Sequence, residues 1–93
     1  MDFTDVDLRV GTVREATQAE DVLELVIDFG GLVRTAQSRI TERYSAEDMI
    51  GRQVVAVTNA PGGSAVVLAA VSPSQGAVLI QPEIPVVDGT QVV

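Results

Sequence analysis

The chain has 93 residues and contains neither cysteine nor histidine, which excludes disulfides, thiolate metal sites and the most common general base. Its net charge is −7 and its six basic residues are all arginine, so it repels a phosphate backbone unless the arginines gather on one face. No apolar stretch approaches the roughly 20 residues that a membrane-spanning helix needs, so we expect no membrane insertion.

The length predicts a single domain over residues 1–93, and a hydrophobic content of 46% is enough for a core. The core must consist of valine, leucine, isoleucine and alanine, because the only aromatic residues are Phe3, Phe29 and Tyr44. No basic segment followed by an apolar run begins the sequence, which favours a cytoplasmic protein. The acidic, lysine-free composition also suits a salt-loving organism, in which case net charge says little about any one face.

Alternating residues predict a first strand over residues 7–16. Gly11 lies inside this strand and indicates a bulge or a tight bend of a barrel. The polar residues 17–21 are expected to connect it to the second strand.

A second strand is predicted over residues 22–29, with its leucines, isoleucine and phenylalanine on the side that faces the core. The glycine pair 30–31 supplies the positive φ angles of a hairpin turn, and residues 32–38 return as the third strand.

A short helix is predicted at residues 45–50. Ser45 followed by Asp48 resembles a capping box at its start, and Gly51 is the expected end. The β-branched and small residues at positions 54–57 then predict a fourth strand over residues 52–58.

Turn residues at positions 59–64 precede a predicted fifth strand at 65–71, and a further strand is expected at 77–81. Two prolines keep the following tail extended and confine it to an edge. A turn at 88–89 lets residues 90–93 pair once more.

This order of elements predicts an all-β chain with the oligonucleotide/oligosaccharide-binding (OB) fold. The expected architecture is a five-stranded β-barrel with one short helix between strands 3 and 4 and an extended C-terminal tail.

Arginines supply the candidate ligand contacts, because guanidinium groups bind phosphates, carboxylates and carbonyl oxygens. The alternative is that they serve solubility and form ion pairs with some of the thirteen acidic residues. Tyr44 could stack on a ligand or simply pack between strand and helix, and the Asn59 amide could bind a ligand or form an Asx turn. The candidate ligand-binding residues are Arg9, Arg34, Arg39, Arg43, Tyr44, Arg52 and Asn59.

Catalytic and metal sites are not expected. Glu20 and Asp21 are adjacent carboxylates, as are Glu47 and Asp48, and neighbouring side chains on a strand or helix point apart, so these pairs are poor acid/base or metal pairs. We therefore predict no catalytic residue, no metal site and no cofactor, and hence no enzyme.

The two ends of the chain carry apolar side chains that either complete the barrel or enter a contact with a second copy. An exposed apolar row at a sheet edge would otherwise promote aggregation. The alternative for the N-terminal lead-in is a frayed end. The candidate dimer-contact residues are Phe3, Val6, Ile84, Val86 and Val87.

Five short motifs follow one another along nearly the whole chain: DLRVGTV at 7–13, LVIDFG at 25–30, ITERY at 40–44, GRQVVAVTN at 51–59 and QGAVLIQPE at 75–83. Each motif is weak alone, but their order resembles the tRNA-binding domain family, and most closely its free-standing CsaA-type members. This resemblance implies an OB barrel that forms a homodimer through its chain ends. It also implies binding of tRNA without reading an anticodon, or chaperone-type binding of unfolded polypeptide.

Two segments depart from the family pattern. The segment between the first two strands, which commonly carries a His-Pro pair and a lysine, is acidic here at residues 17–22. The loop after Asn59 is short and uncharged at 60–64. Both changes remove probable phosphate contacts, so the sequence favours a homodimeric chaperone that binds unfolded or export-destined polypeptide over its alternatives. Those alternatives are tRNA binding by shape and phosphate contacts, and an assembly module without its own ligand.

Overall fold

A computed structural model describes residues 5–93 as a nearly all-β structure with one short helix. Five strands form one antiparallel sheet in the order β3-β2-β1-β4-β5, and the last two strands form a separate hairpin. This architecture confirms the predicted OB-like barrel. The elements are β1 (Leu8–Ala19), β2 (Val22–Asp28), β3 (Val33–Ser38), α1 (Ala46–Met49), β4 (Gln53–Val57), β5 (Val66–Val67), β6 (Ala69–Ser72) and β7 (Gly76–Leu79).

The sheet curls until its two edge strands, β3 and β5, approach each other. The backbone N–H of Ala65, just before β5, donates to the carbonyl oxygen of Thr35 in β3 at 2.9 Å. No ladder pairs β3 with β5 within residues 5–93, so the barrel is nearly but not fully closed. We call this junction the seam.

The core lies inside the curled sheet and is built from the alternating positions of β2. Leu23, Leu25 and Ile27 are fully buried, and Phe29 continues the same face. The predicted core-facing side of the second strand is therefore confirmed. Successive residues of a strand point to opposite faces, so the intervening Glu24 and Val26 lie on the outer face of the sheet.

Gly11 makes room for this core. A Cβ atom at Gly11 would lie 2.6 Å from Cδ1 of Phe29 and 2.7 Å from Cγ2 of Ile27. The register of β1 against β2 shifts between Val13 and Glu15, so the bulge lies beyond Gly11 rather than at it. The glycine is needed for close packing of side chains, and Arg14 is the residue left out of the register.

The connection between β1 and β2 is shorter than the sequence predicted. Residues 17–19 were expected to lie in a loop but continue β1, where Ala19 pairs with Val22. Glu20 adopts a φ of 58°, which lets two residues reverse the chain. The polarity of residues 17–19 reflects their exposure, because a ladder needs only backbone hydrogen bonds and tolerates polar side chains on a solvated face.

The helix α1 closes one end of the barrel. Ser45 and Asp48 form the predicted capping box, each side chain accepting from the other residue's backbone N–H. Met49 is fully buried, and Gly51 follows with a φ of 85°, as expected of a residue that ends a helix. No helix of residues 5–93 is long and apolar enough to cross a membrane.

The predicted fifth strand at 65–71 is two strands, and the prediction of a single strand was wrong. β5 pairs with β4, whereas β6 pairs with β7. Leu68 joins them, since its N–H donates to Val55 O at 2.9 Å and its carbonyl accepts from Ile80 N at 3.1 Å. The apolar run is continuous in sequence, but the chain changes partners within it.

The C-terminal tail pairs once more, as predicted, and its partner is β1. The N–H groups of Gly89 and Val92 donate to β1 carbonyls, and Thr90 O accepts from Val10 N at 2.9 Å. Gln53 also holds the tail, donating to Val86 O at 2.6 Å and accepting from Val86 N at 3.0 Å. Part of the tail therefore completes the sheet beside β1.

Candidate ligand-binding surface

A groove of about 690 Å³ lies on the outer face of β1, β2 and β3, beside the seam. The strand register builds it in two rows, because Val26 lies opposite both Glu15 and Thr35, and Glu24 lies opposite Thr17 and Gln37. This outer face, with its neighbouring loops, is where OB folds bind their ligands. We call it the seam groove; its lining residues are Glu15, Thr17, Glu24, Leu25, Val26, Thr35, Ala36, Gln37, Ser64, Ala65 and Val66.

The seam groove is acidic. Glu15 and Glu24 are its charged lining residues, and no arginine lines it. Neither carboxylate forms an ion pair within the described part of the chain. Sequence analysis did not select these residues, although the alternation along β2 had already placed Glu24 and Val26 on the face opposite to the core.

Three arginines are bound to carboxylates within the chain. The guanidinium groups of Arg9, Arg14 and Arg39 form ion pairs, and Arg14 bridges two aspartates. The distances are 2.8 Å from Arg9 to Asp7, 3.6 and 3.5 Å from Arg14 to Asp28 and Asp88, and 3.2 Å from Arg39 to Asp21. This arrangement favours the ion-pair interpretation for half of the arginines.

The other three arginines each have different surroundings. Arg52 stacks over the Tyr44 ring with its guanidinium carbon 5.2 Å from the centroid, and it also donates to Gln81 at 3.3 Å. Arg43 is exposed beside the turn between β6 and β7. Arg34 lies opposite the buried Ile27, so it extends toward the core side of β3, and its Nε is buried without a partner among residues 5–93.

Tyr44 and Asn59 make contacts within the chain. The Tyr44 ring is buried, and its hydroxyl oxygen accepts from Leu79 N at 3.1 Å. The exposed Asn59 accepts from Asp7 N at 2.9 Å and donates to Asp5 O at 2.7 Å. Asn59 therefore ties the N-terminal lead-in to the end of β4, rather than forming a turn within its own loop.

The lead-in is further held by Asp7. Its carboxylate accepts from Arg9 and from the Thr58 hydroxyl, and these hydrogen bonds lower the pKa of Asp7 below its usual value of 3.8. Asp28 is similar: the backbone N–H groups of Gly31 and Gly30 lower its pKa, with Arg14 adding a smaller effect. Both carboxylates remain ionised as structural acceptors.

Metal-binding geometry is not found in the described residues, where no three acidic, cysteine or histidine side chains gather.

A second surface is apolar and formed by the tail. Ile84 is 68% exposed and Val87 is 81% exposed, whereas Val86 is half-buried. Val6 is half-buried as well, and Phe3 lies outside the described residues. Ile50 and Ile80 are also exposed.

Comparison with known proteins relates the chain to two groups. The chaperone CsaA of Bacillus anthracis has a TM-score of 0.90 and 37% identity, covering 98% of this chain and 94% of that one. The CsaA chaperone protein of Picrophilus torridus has a TM-score of 0.85 and 25% identity over 98% of this chain and 94% of that one. The methionine–tRNA ligase of Flavobacterium psychrophilum is 46% identical over 61 residues, which are 62% of this chain and 9% of that enzyme. No protein-family model matches the chain.

The barrel and its outer groove thus define a binding domain of the OB type. The chain belongs to the tRNA-binding domain family, close to CsaA. It spans about a tenth of the length of the methionine–tRNA ligases that it matches, corresponding to the 9% covered by the alignment.

Proposed function

We propose that the protein is a non-catalytic, CsaA-like chaperone that binds unfolded or export-destined polypeptide in the cytoplasm. The observation that carries this proposal is the distribution of charge. The groove on the usual OB binding face is lined by two glutamates, and three of the six arginines are bound to aspartates. The likeness to the Bacillus anthracis chaperone, at 37% identity over 98% of this chain, supports the proposal.

A homodimer is part of the proposal. The exposed Ile84 and Val87 form an apolar surface beside a backbone that Gln53 holds in place. Contiguous apolar side chains on a protein surface mark interaction sites. Pairing two copies through this surface would leave the seam groove of each copy to a ligand.

Binding of tRNA by shape and phosphate contacts is the second candidate function. The 46% identity to a methionine–tRNA ligase over 61 residues favours it. Arg43 is exposed without an ion pair among residues 5–93, and Arg34 and Arg52 also lack carboxylate partners there. This function requires the six arginines to gather on one face despite the net charge of −7.

A pair of anisotropy titrations tests the two functions. The probes are labelled bulk tRNA and a labelled, reduced and carboxymethylated polypeptide that cannot fold, each titrated with protein from low to high salt. We expect polypeptide binding that changes little or strengthens with salt, because burial of apolar surface dominates it. Tight tRNA binding that weakens steeply with salt would instead identify a phosphate-binding protein. Binding of neither probe would leave an assembly module.

A further inference from the structure

The outer edge of β6 has no partner strand. Ile80 N donates to Leu68 O at 3.1 Å, one residue before the β6–β7 ladder, which fixes the alternation of hydrogen bonds in that ladder. Alternate residues of an antiparallel pair direct their backbone groups to the partner, so Ala70 faces β7 whereas Ala69 and Val71 face outward. Among residues 5–93, no strand and no other backbone group pairs with this outward side.

β6 lacks the residues that usually block an open edge. Edge strands are commonly protected by lysine, by proline, by an inward-pointing charge or by a covering element. β6 has the sequence Ala-Ala-Val-Ser, and its Val71 side chain is largely exposed. The strand is short, so its two outward residues offer two N–H and two C=O groups. This edge is therefore suited to weak, reversible pairing with an extended chain.

The strands around this edge carry no charge. All six arginines and all thirteen acidic residues lie in residues 1–52 and 83–93, so β4, β5, β6 and β7 contain no charged side chain. Val66, Val71 and Ile80 are nevertheless exposed in this part of the chain. The net charge of −7 repels an acidic segment, and a basic segment is attracted to the carboxylates elsewhere. An uncharged, apolar segment is the kind that this edge fits best.

A cavity of about 240 Å³ lies beside the edge and is large enough for one aliphatic side chain. Val71 and Ala77 are directly opposite each other in the β6–β7 ladder, so their side chains share a face, and both line the cavity. The buried Ile40 lines it too, together with Arg39 and Glu42, which are of opposite charge. A strand paired with β6 would direct alternate side chains to this same face.

We propose that the outer edge of β6 binds an extended, uncharged polypeptide segment, which pairs with Ala69 and Val71 and places an aliphatic side chain in the cavity beside Val71. Addition of a strand to an open edge supplies main-chain hydrogen bonds, and pockets for alternate side chains supply selectivity. This proposal rests on the proposed binding of polypeptide and specifies its site and substrate class.

Synthetic peptides test the proposal with the full chain. The probe is a labelled peptide of about eight residues that alternates valine with serine, and the comparison peptide has aspartate in place of valine. We expect the valine peptide to bind with little dependence on salt, because burial of apolar surface dominates. The aspartate peptide should bind about tenfold more weakly or less, because a carboxylate in the cavity is desolvated. Equal binding of the two peptides would overturn the proposal.

Backbone methylation tests the strand pairing itself. The N–H groups of alternate residues point to the same side of a strand, so two valine peptides methylated on the two alternate sets differ only in which side is blocked. We expect one of them to lose about tenfold more affinity than the other. Equal affinities of the two methylated peptides would show that no strand adds to the edge.

A proline substitution blocks the edge from the side of the protein. Val71→Pro removes an outward N–H and leaves the ladder with β7 intact, as edge strands allow, and should weaken the valine peptide about tenfold. The matched control is Val87→Pro, since Val87 is as exposed as Val71 but lies outside β6, and it should bind the peptide like the unmodified chain. Equal affinities of the two variants would overturn the proposal. If Val71→Pro does not fold, the methylated peptides still decide.

The carboxymethylated polypeptide separates this proposal from the proposed function. If that polypeptide binds equally to the unmodified chain and to Val71→Pro, the assignment of the β6 edge fails while polypeptide binding stands. If the valine peptide binds in a manner sensitive to Val71→Pro but the unfolded polypeptide does not bind, the edge assignment stands and the chaperone function fails. Loss of the dimer in Val71→Pro would instead assign the edge to a second copy and overturn the proposal.

Discussion

Gly11 illustrates at the scale of single residues how the core limits the sequence. A methyl group there would collide with the Phe29 ring and with Ile27, at 2.6 and 2.7 Å. We expect Gly11→Ala to lower the free energy of unfolding by about 1–3 kcal/mol, because overpacking forces the core to shift. Urea unfolding measures this loss.

A double-mutant cycle provides the control for Gly11. In a Phe29→Leu background the ring carbons are gone, so Gly11→Ala should cost less than in the unmodified chain. An equal cost in both backgrounds would show that the penalty has another origin.

Asp28 gives the protein a pH dependence at the same scale. Its carboxylate accepts from Gly30 N at 2.8 Å and Gly31 N at 3.1 Å, and its folded pKa lies below the usual 3.8. A folded pKa below the unfolded one stabilises the protein above the unfolded pKa, and this contribution is lost as pH falls through the folded pKa. The stability difference between the unmodified chain and Asp28→Asn should therefore be present in full at about pH 6, shrink as the pH falls below the unfolded pKa of 3.8, and vanish once the pH lies below the folded pKa.

Urea unfolding of both proteins across this pH range measures the difference in the free energy of unfolding. The difference between the two proteins is used because the other carboxylates titrate in both. A difference that stays constant to about pH 2 would contradict the role of the ionised carboxylate.

Among the elements, α1 depends most on a few local contacts. It has four residues, so its capping box and the buried Met49 hold it against the barrel. We expect Ser45→Ala to destabilise the protein by about 1 kcal/mol, because the Asp48 N–H loses its acceptor. Glu47→Ala, in the same turn but outside the box, should cost less in the same urea titration. Equal costs would mean that the capping box does not stabilise α1.

At the scale of the whole molecule, the proposed dimer depends on the tail. Val87 on the tail and Val71 on β6 are both 81% exposed, so they form a matched pair of apolar positions. We expect Val87→Asp to convert the proposed dimer to monomer, because a carboxylate buried without a partner at an apolar contact is strongly unfavourable. Val71→Asp should leave the dimer unchanged.

Sedimentation velocity at several protein concentrations measures the mass of the unmodified chain and of both variants. A monomer before substitution, or the same mass for both variants, would remove the tail surface from the dimer contact.

Local patterns were sufficient for most of the fold. The alternation along β2, the positive-φ glycines at 30–31 and the Ser45–Asp48 cap each act within a few residues, and each appears where the sequence predicts it. The prediction of a single fifth strand was wrong because its apolar run does not show where the partner changes. The chain pairs with β4 before Leu68 and with β7 after it. A change of partner depends on distant segments, which local periodicity does not record.

The candidate site was less accessible to sequence reasoning for the same reason. The arginines are visible in the sequence, but an aspartate partner can be distant. Asp88, which pairs with Arg14, lies 74 residues further along the chain. The seam groove joins β1, β2 and β3 to residues 64–66, and only closure of the barrel brings these together. Attention to basic residues alone therefore missed Glu15 and Glu24.

By itself, the sequence determined an OB-type barrel with one capped helix, a net negative charge and no histidine or cysteine chemistry. Those properties follow from residue type and short-range periodicity, which are complete in the linear chain. The tertiary structure alone decided that Arg14 and Arg39 pair with distant aspartates, that β3 and β5 meet without a ladder, and that Glu15 and Glu24, which form no ion pair among residues 5–93, line the groove beside that seam. These properties arise from contacts between segments far apart in sequence, whose positions depend on how the whole sheet curls.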